Sequence, residues 1–169
     1  MRMLGAVLIL LSSLLFAMQI LREKKERIRA LIELGHSLKL MRGELTLHAS
    51  PLPDLLNTVA RLSAGVSERL FREMAEALDR LGEESFAGLW REKVLLCCRC
   101  LPSEAREELI RLGSILGRFS LEDQLQGLER CSQVFSCKTV ELDRSLCSFR
   151  RMTCGLCFSG GAFLVIILL

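Results

Sequence analysis

Cys97, Cys98 and Cys100 stand together in the run CCRC, and Cys154 and Cys157 form a C-x-x-C pair. Thiols at such spacings do two kinds of chemistry, tetrahedral metal binding and thiol–disulfide exchange. A zinc site needs a second pair of ligands at matching spacing, and the two histidines, His36 and His48, lie in another segment without it. A redox C-x-x-C belongs after a strand, whereas Cys154 and Cys157 fall inside an uncharged apolar run. The cysteines therefore read as small hydrophobes, with no metal ligand among them. A membrane thiol-redox protein stays as an alternative; it requires an exposed cysteine of low pKa and a resolving partner.

Other catalytic chemistry is as short of residues. The chain has no tyrosine, and its acidic residues mostly stand beside Lys or Arg at helix-surface spacing. G-x-x-x-x-G-K-[ST], G-x-S-x-G and H-E-x-x-H are absent. The expectation is a protein that is not an enzyme, with no catalytic residues and no cofactor. A net charge of +3 is too small to suggest a nucleic-acid partner.

The elements that would position any function are set by the distribution of charge. Met3–Leu21 and Met152–Leu169 carry no charged residue, and every charge except Arg2 falls within Arg22–Arg151. The second run is 18 residues, ~27 Å of helix and about the thickness of a bilayer's hydrocarbon core. Three parts are expected: an N-terminal transmembrane helix over 1–21, a helical domain over 22–151 and a C-terminal transmembrane helix over 152–169. A cleaved signal peptide and a buried terminal helix are the competing readings of the two ends. Arg22, Lys24, Lys25, Arg27 and Arg29 follow the first apolar run, and Arg150 and Arg151 precede the second. By the positive-inside rule the domain is cytoplasmic, and these seven side chains are candidate contacts to lipid headgroups. A cytoplasmic domain also argues against disulfides. Ser13 with Ala17, and Cys157 with Gly161, are small pairs at i, i+4 and similar depth, so they are candidates for packing the two spans as an antiparallel hairpin.

Between the apolar runs the periodicity is helical throughout. Leu31, Leu34, Leu38, Met41 and Leu45 step by three and four, an amphipathic helix continuing out of the first span. Ser50 and Pro51 open a second helix whose apolar face is Leu55, Leu56, Val59 and Leu62. Ser67 is placed to cap a third, carrying Leu70, Met74, Leu78 and Leu81, with Gly82 ending it. Trp90, Val94 and Leu95 belong to a fourth, Ser103 is placed to cap a fifth, and Ser120 to Asp123 has capping-box spacing for a sixth that runs on toward the second span. An all-α, membrane-anchored bundle of about six helices follows. Gly113 and Gly117 make a G-x-x-x-G in the fifth helix. At about 1 kcal/mol each against alanine, they ask for a compensation, close backbone approach by another helix or a turn at Gly117, with the packing either within the bundle or at a partner surface.

MRGELTLHASPLPDLLNTVA, RLGSILGRFSLEDQLQGLE and the tail LVIILL, in that order behind an N-terminal span and a basic helix, resemble the stage III sporulation protein AB family. Glu44, Pro51, Leu52, Leu112, Gly113, Leu116, Gly117, Asp123, Gln124 and Gly161 carry the match. The cysteine content and Thr153-Cys154 depart from it. The resemblance implies a non-enzymatic membrane platform in a secretion-like channel complex between mother cell and forespore, required for endospore formation. It implies a soluble domain similar to that of type II secretion platform proteins, in the mother-cell membrane facing the forespore. The implied partners are other stage III sporulation proteins, including a cytoplasmic ATPase, and the lipid bilayer; assembly as a homo-oligomer stays open. A generic membrane-tethered helical adaptor unrelated to sporulation is the competing reading.

Overall fold

In the computed structural model the backbone is described for residues 2–48, 51–82 and 84–168, and side chains for 15, 18–47, 51–82 and 84–148. Six α-helices fill these residues: α1 (Arg2–His48), α2 (Leu52–Leu62), α3 (Gly65–Ala77), α4 (Phe86–Cys97), α5 (Ser103–Ile115) and α6 (Leu121–Leu168). A single 3-10 turn, Leu78–Arg80, extends α3, and the isolated bridge Leu81–Glu84 is the one extended pairing among the described residues.

The chain divides into two compact units. One comprises Met1–Glu26 with Val140–Leu169, and the other is Arg27–Thr139. The two runs expected to span a membrane belong to the first unit. Ser13, Ala17, Arg150, Arg151, Cys157 and Gly161, the candidate hairpin contacts and two of the candidate headgroup contacts, lie outside the described side chains. Among the described residues no helix is long and apolar enough to cross a membrane.

The Arg27–Thr139 unit is built on the stripe read from α1. Leu31, Leu34, Leu38, Met41 and Leu45 are all buried. Leu55, Leu56 and Val59 of α2, Leu70, Phe71 and Met74 of α3, Leu89, Trp90 and Val94 of α4, Ala105, Leu109 and Leu112 of α5, and Leu128, Cys131 and Phe135 of α6 close the core around it. Each contributes one apolar face at 3.6-residue spacing, and burying that face is what makes α2 to α5, of 11 to 13 residues, stable in water. Ion pairs cross the helix boundaries at the rim: Lys93–Glu73 at 3.1 Å, Arg130–Glu108 at 3.0 Å and Lys138–Glu104 at 2.5 Å. Every buried side-chain nitrogen or oxygen among the described residues has a hydrogen-bond partner.

Several local expectations change. Ser67 does not cap α3: it lies within the first turn, fully buried, with its hydroxyl on that of Ser37 in α1. Ser37 donates to Glu33 O at 3.0 Å and also meets Ser63 Oγ at 2.6 Å, so its one proton is spent on Glu33 and the other two hydroxyls donate to it. The cap of α3 comes instead from Glu33, whose Oε2 accepts the Val66 N–H at 3.2 Å. Gly65, at φ +63°, makes room for it, since a Cβ there would lie 2.8 Å from the Glu33 carboxyl carbon. Ser103 is the first residue of α5 and makes no capping bond, because Pro102 occupies the cap position. Pro51 likewise directly precedes α2, and Ser50 falls outside the described residues. Leu62 and Leu81, expected on the inner faces, are exposed, as is Leu95 of the fourth helix. Ser85, not singled out by the sequence reading, caps α4 by accepting the Gly88 N–H at 3.2 Å.

Candidate interaction site

The glycines of LGSILG do two different jobs. Gly113 is buried in α5 beneath the indole of Trp90, and an added Cβ would overlap that ring. The indole N–H donates to Leu109 O at 2.7 Å, the carbonyl one helical turn before Gly113. Phe71 and Phe86 flank the indole with centroids 6.0 and 5.9 Å away. Gly113 is thus sealed inside the bundle and presents nothing to a partner. Gly117 follows the end of α5 at φ +75°, the left-handed conformation that closes a helix most readily with glycine. It is exposed, and a Cβ there would meet Leu52 Cδ2 of α2 at 3.2 Å.

Gln124 holds the turn that follows. Its Oε1 accepts the Gly117 N–H at 3.4 Å and its Nε2 donates to Phe119 O at 2.9 Å, so one amide spans the connection between α5 and α6. Ser120 Oγ accepts the Asp123 N–H at 3.2 Å and donates to Asp123 Oδ2 at 2.6 Å. The capping-box spacing therefore yields a cap, with the carboxylate bonded to the serine hydroxyl rather than to its backbone N–H. Leu52 of α2 comes against Gly117 at this corner, beside Leu116, Asp123 and Gln124, which are its neighbours in the sequence.

The corner carries the site. Phe119, at its tip, is 55% exposed. Beside it, Ile115, Asp123, Gly127 and Arg130 help line an open groove of about 550 Å³ between α5 and α6. Gly127 leaves the groove floor to Ile115 and Leu112, whose side chains lie 3.2 and 3.3 Å from where its Cβ would be. Phe119 itself lines that groove and is partly covered by it, and the turn that carries it is tied at two points by Gln124, so the exposed part of the ring is a candidate contact for a partner.

Three of the described thiols are held protonated by their surroundings. Burial pushes Cys98 up to about 12, with the neighbouring Cys97 and Cys100 adding to it, and burial, with Glu108 assisting, pushes Cys131 to about 12. Cys97 is raised by burial, although Arg69 opposes it. Such thiols stay protonated at neutral pH and are poor nucleophiles and ligands. No cluster of three or more His, Cys, Asp or Glu able to hold a metal occurs among the described residues. Of the proposed headgroup contacts, Arg22, Lys25, Arg27 and Arg29 are exposed and Lys24 is half-buried. Arg29 also pairs with Glu33 at 2.8 Å.

The described residues form an all-helical bundle whose turn between α5 and α6 carries a half-exposed aromatic side chain. The family description stage III sporulation protein AB matches residues 2–169, and the chain belongs to that family. A solved structure of a stage III sporulation protein AB (SpoIIIAB) has the same fold, at a TM-score of 0.64 and 19% identity, covering 72% of this chain and 97% of that one. No curated protein matches. Membership gives the chain a role in sporulation, within a sporulation protein complex, and the family is not a known enzyme family.

Proposed function

We propose that the chain is a membrane-anchored, non-enzymatic scaffold of a channel-like complex between mother cell and forespore, with its bundle on the cytoplasmic side. The observation that carries this reading is the extent of the family match, which takes in both apolar runs as well as the bundle. The grouping of Met1–Glu26 with Val140–Leu169 as one compact unit supports two adjacent anchors, packed through Ser13, Ala17, Cys157 and Gly161. The exposed Arg22, Lys25, Arg27 and Arg29 support contact with anionic headgroups. The α5–α6 corner is the surface offered to other stage III proteins, among them a cytoplasmic ATPase. The raised thiols weigh against the thiol-redox alternative.

Two measurements test it. A reporter active only outside the membrane should be silent when fused at Gly82 and active when fused after Leu169; the reverse pattern ends the cytoplasmic assignment. Affinity isolation of the chain from sporulating cells should recover the sporulation ATPase, and replacing Phe119 by serine should diminish that recovery at unchanged chain level. Recovery of other sporulation proteins without the ATPase would remove that partner from the scheme.

A further inference from the structure

One side of α4 is consumed by the core through Phe86, Leu89, Trp90 and Val94. The other carries two parallel rows at i, i+4, i+8. Gly88, Glu92 and Leu96 form one row, and Arg91, Leu95 and, just past the helix end, Arg99 form the other. All six are exposed. Leu95 and Leu96 are 43% and 42% exposed, so two adjacent leucines remain outside a core that is already filled. Two i±4 rows with a glycine at one end are the ridges and groove against which another helix packs.

The charge on this face is one-sided. Among the described residues Arg91 and Arg99 make no ion pair, and Glu92 is met only by Arg80, at 3.9 Å and already bonded to Glu84, so two cations on this face stand against one partly compensated carboxylate. At the same end of α4, Arg69 reaches Cys97 and Arg106 lies near Cys98, while Glu73 is taken by Lys93. The uncompensated charge around the two leucines is therefore positive.

We propose that this face of α4 docks an acidic, amphipathic helix of another protein, with its apolar side chains on Leu95 and Leu96 and its carboxylates on Arg91 and Arg99. A helix fits better than a lipid surface because its carboxylates can be placed over Arg91 and Arg99 and away from Glu92, whereas a continuous anionic headgroup layer would cover all three. Gly88 admits a close backbone, which a bilayer does not need. The inference rests on the reading of the chain as an assembly component, and names the chemistry of one of its partners.

The test uses the full chain in zwitterionic-lipid nanodiscs, titrated with a fluorescent synthetic helix bearing glutamate and leucine on one face. Two twins of that helix carry lysine for glutamate, or serine for leucine. The Glu/Leu helix should bind best, with each twin weaker by about tenfold. Arg91→Glu with Arg99→Glu should reverse the preference between the glutamate and lysine helices. Arg91→Gln with Arg99→Gln, a milder change, should abolish the preference, and Leu95→Ser with Leu96→Ser should weaken both. Equal binding of the glutamate and lysine helices, or indifference to these substitutions, overturns the proposal. So does a change in self-association measured by sedimentation, which would assign the face to a second copy. A change in flotation with anionic vesicles at unaltered peptide affinity would assign it to lipid and overturn it equally. Because none of these readouts involves membrane topology or the ATPase, failure here leaves the proposed scaffold function standing on its own tests.

Discussion

Replacing Gly113 by alanine should destabilise the bundle, although on an isolated helix the same change would stabilise by about 1 kcal/mol. The reason is the Trp90 indole, fully buried and lying where the new Cβ must go, with even its own Cβ only 2.9 Å from that position. The backbone of α5 cannot retreat without disturbing Leu109 and Leu112 beneath it, so the indole has to move. Overpacking of this kind costs about 1–3 kcal/mol. Withdrawal of the indole N–H from Leu109 O forfeits about 1 kcal/mol more. With the propensity gain set against these, the net loss is about 2 kcal/mol, or roughly 4–8 °C in the unfolding temperature of a chain this size. Trp90 is the only tryptophan, so its fluorescence reports the site without ambiguity. The emission of the native chain should be blue-shifted, and that of Gly113→Ala shifted to the red in the folded state, with earlier unfolding by circular dichroism. Gly35→Ala is the control: its Cβ would meet Phe135 Cβ at an ordinary 3.9 Å, so that change should be neutral or stabilising. Unchanged emission and unfolding temperature in Gly113→Ala would refute the account of Trp90 as the cover of that glycine.

Four further outcomes are expected. Glu33→Ala removes the cap of α3 supplied from α1 and should cost about 1 kcal/mol, with faster amide exchange at Val66 as the specific sign. Gln124→Ala should loosen the α5–α6 connection, raising exchange at Gly117 while leaving the Trp90 emission in place. Maleimide at neutral pH should modify the exposed Cys137 and Cys147 before Cys98 or Cys131, which stay protonated and buried. Since the folded state holds the Cys98 and Cys131 protons more tightly than the unfolded chain does, their contribution is complete below the ordinary thiol value of 9.0 and is lost as pH rises toward about 12. Replacing both by alanine should flatten that part of the pH–stability curve.

Local pattern made the helices legible. The step of three and four from Leu31 to Leu45 fixes which side of α1 is buried, because a helix has one geometry and its apolar face follows from spacing alone. Proline before α2, glycine at Gly117 and the Ser120–Asp123 cap mark connections for the same reason: each acts within a few residues of itself. The motif at the α5–α6 corner could be read as residues, and the glutamine after Asp123 was among them. Its role as a clamp could not, since a side-chain amide reaching seven residues back to Gly117 has no periodic signature.

What the tertiary structure decided was every case in which the partner comes from a distant part of the chain. Ser67 had the right type and place for a cap, yet the buried hydroxyl of Ser37 drew it inward and left the α3 terminus to Glu33, thirty-three residues before Val66. Gly113 and Gly117 look alike in sequence, but one lies under an indole nineteen residues from the carbonyl it bonds and the other turns the chain. Leu62 and Leu95 are as apolar as core residues yet stay outside, while Leu55, Leu56 and Val59 of α2 and Leu89, Trp90 and Val94 of α4 are the ones the other helices cover. A residue's type and spacing determine which face it shares with its neighbours in sequence; only the packing of other helices determines whether that face meets protein or solvent.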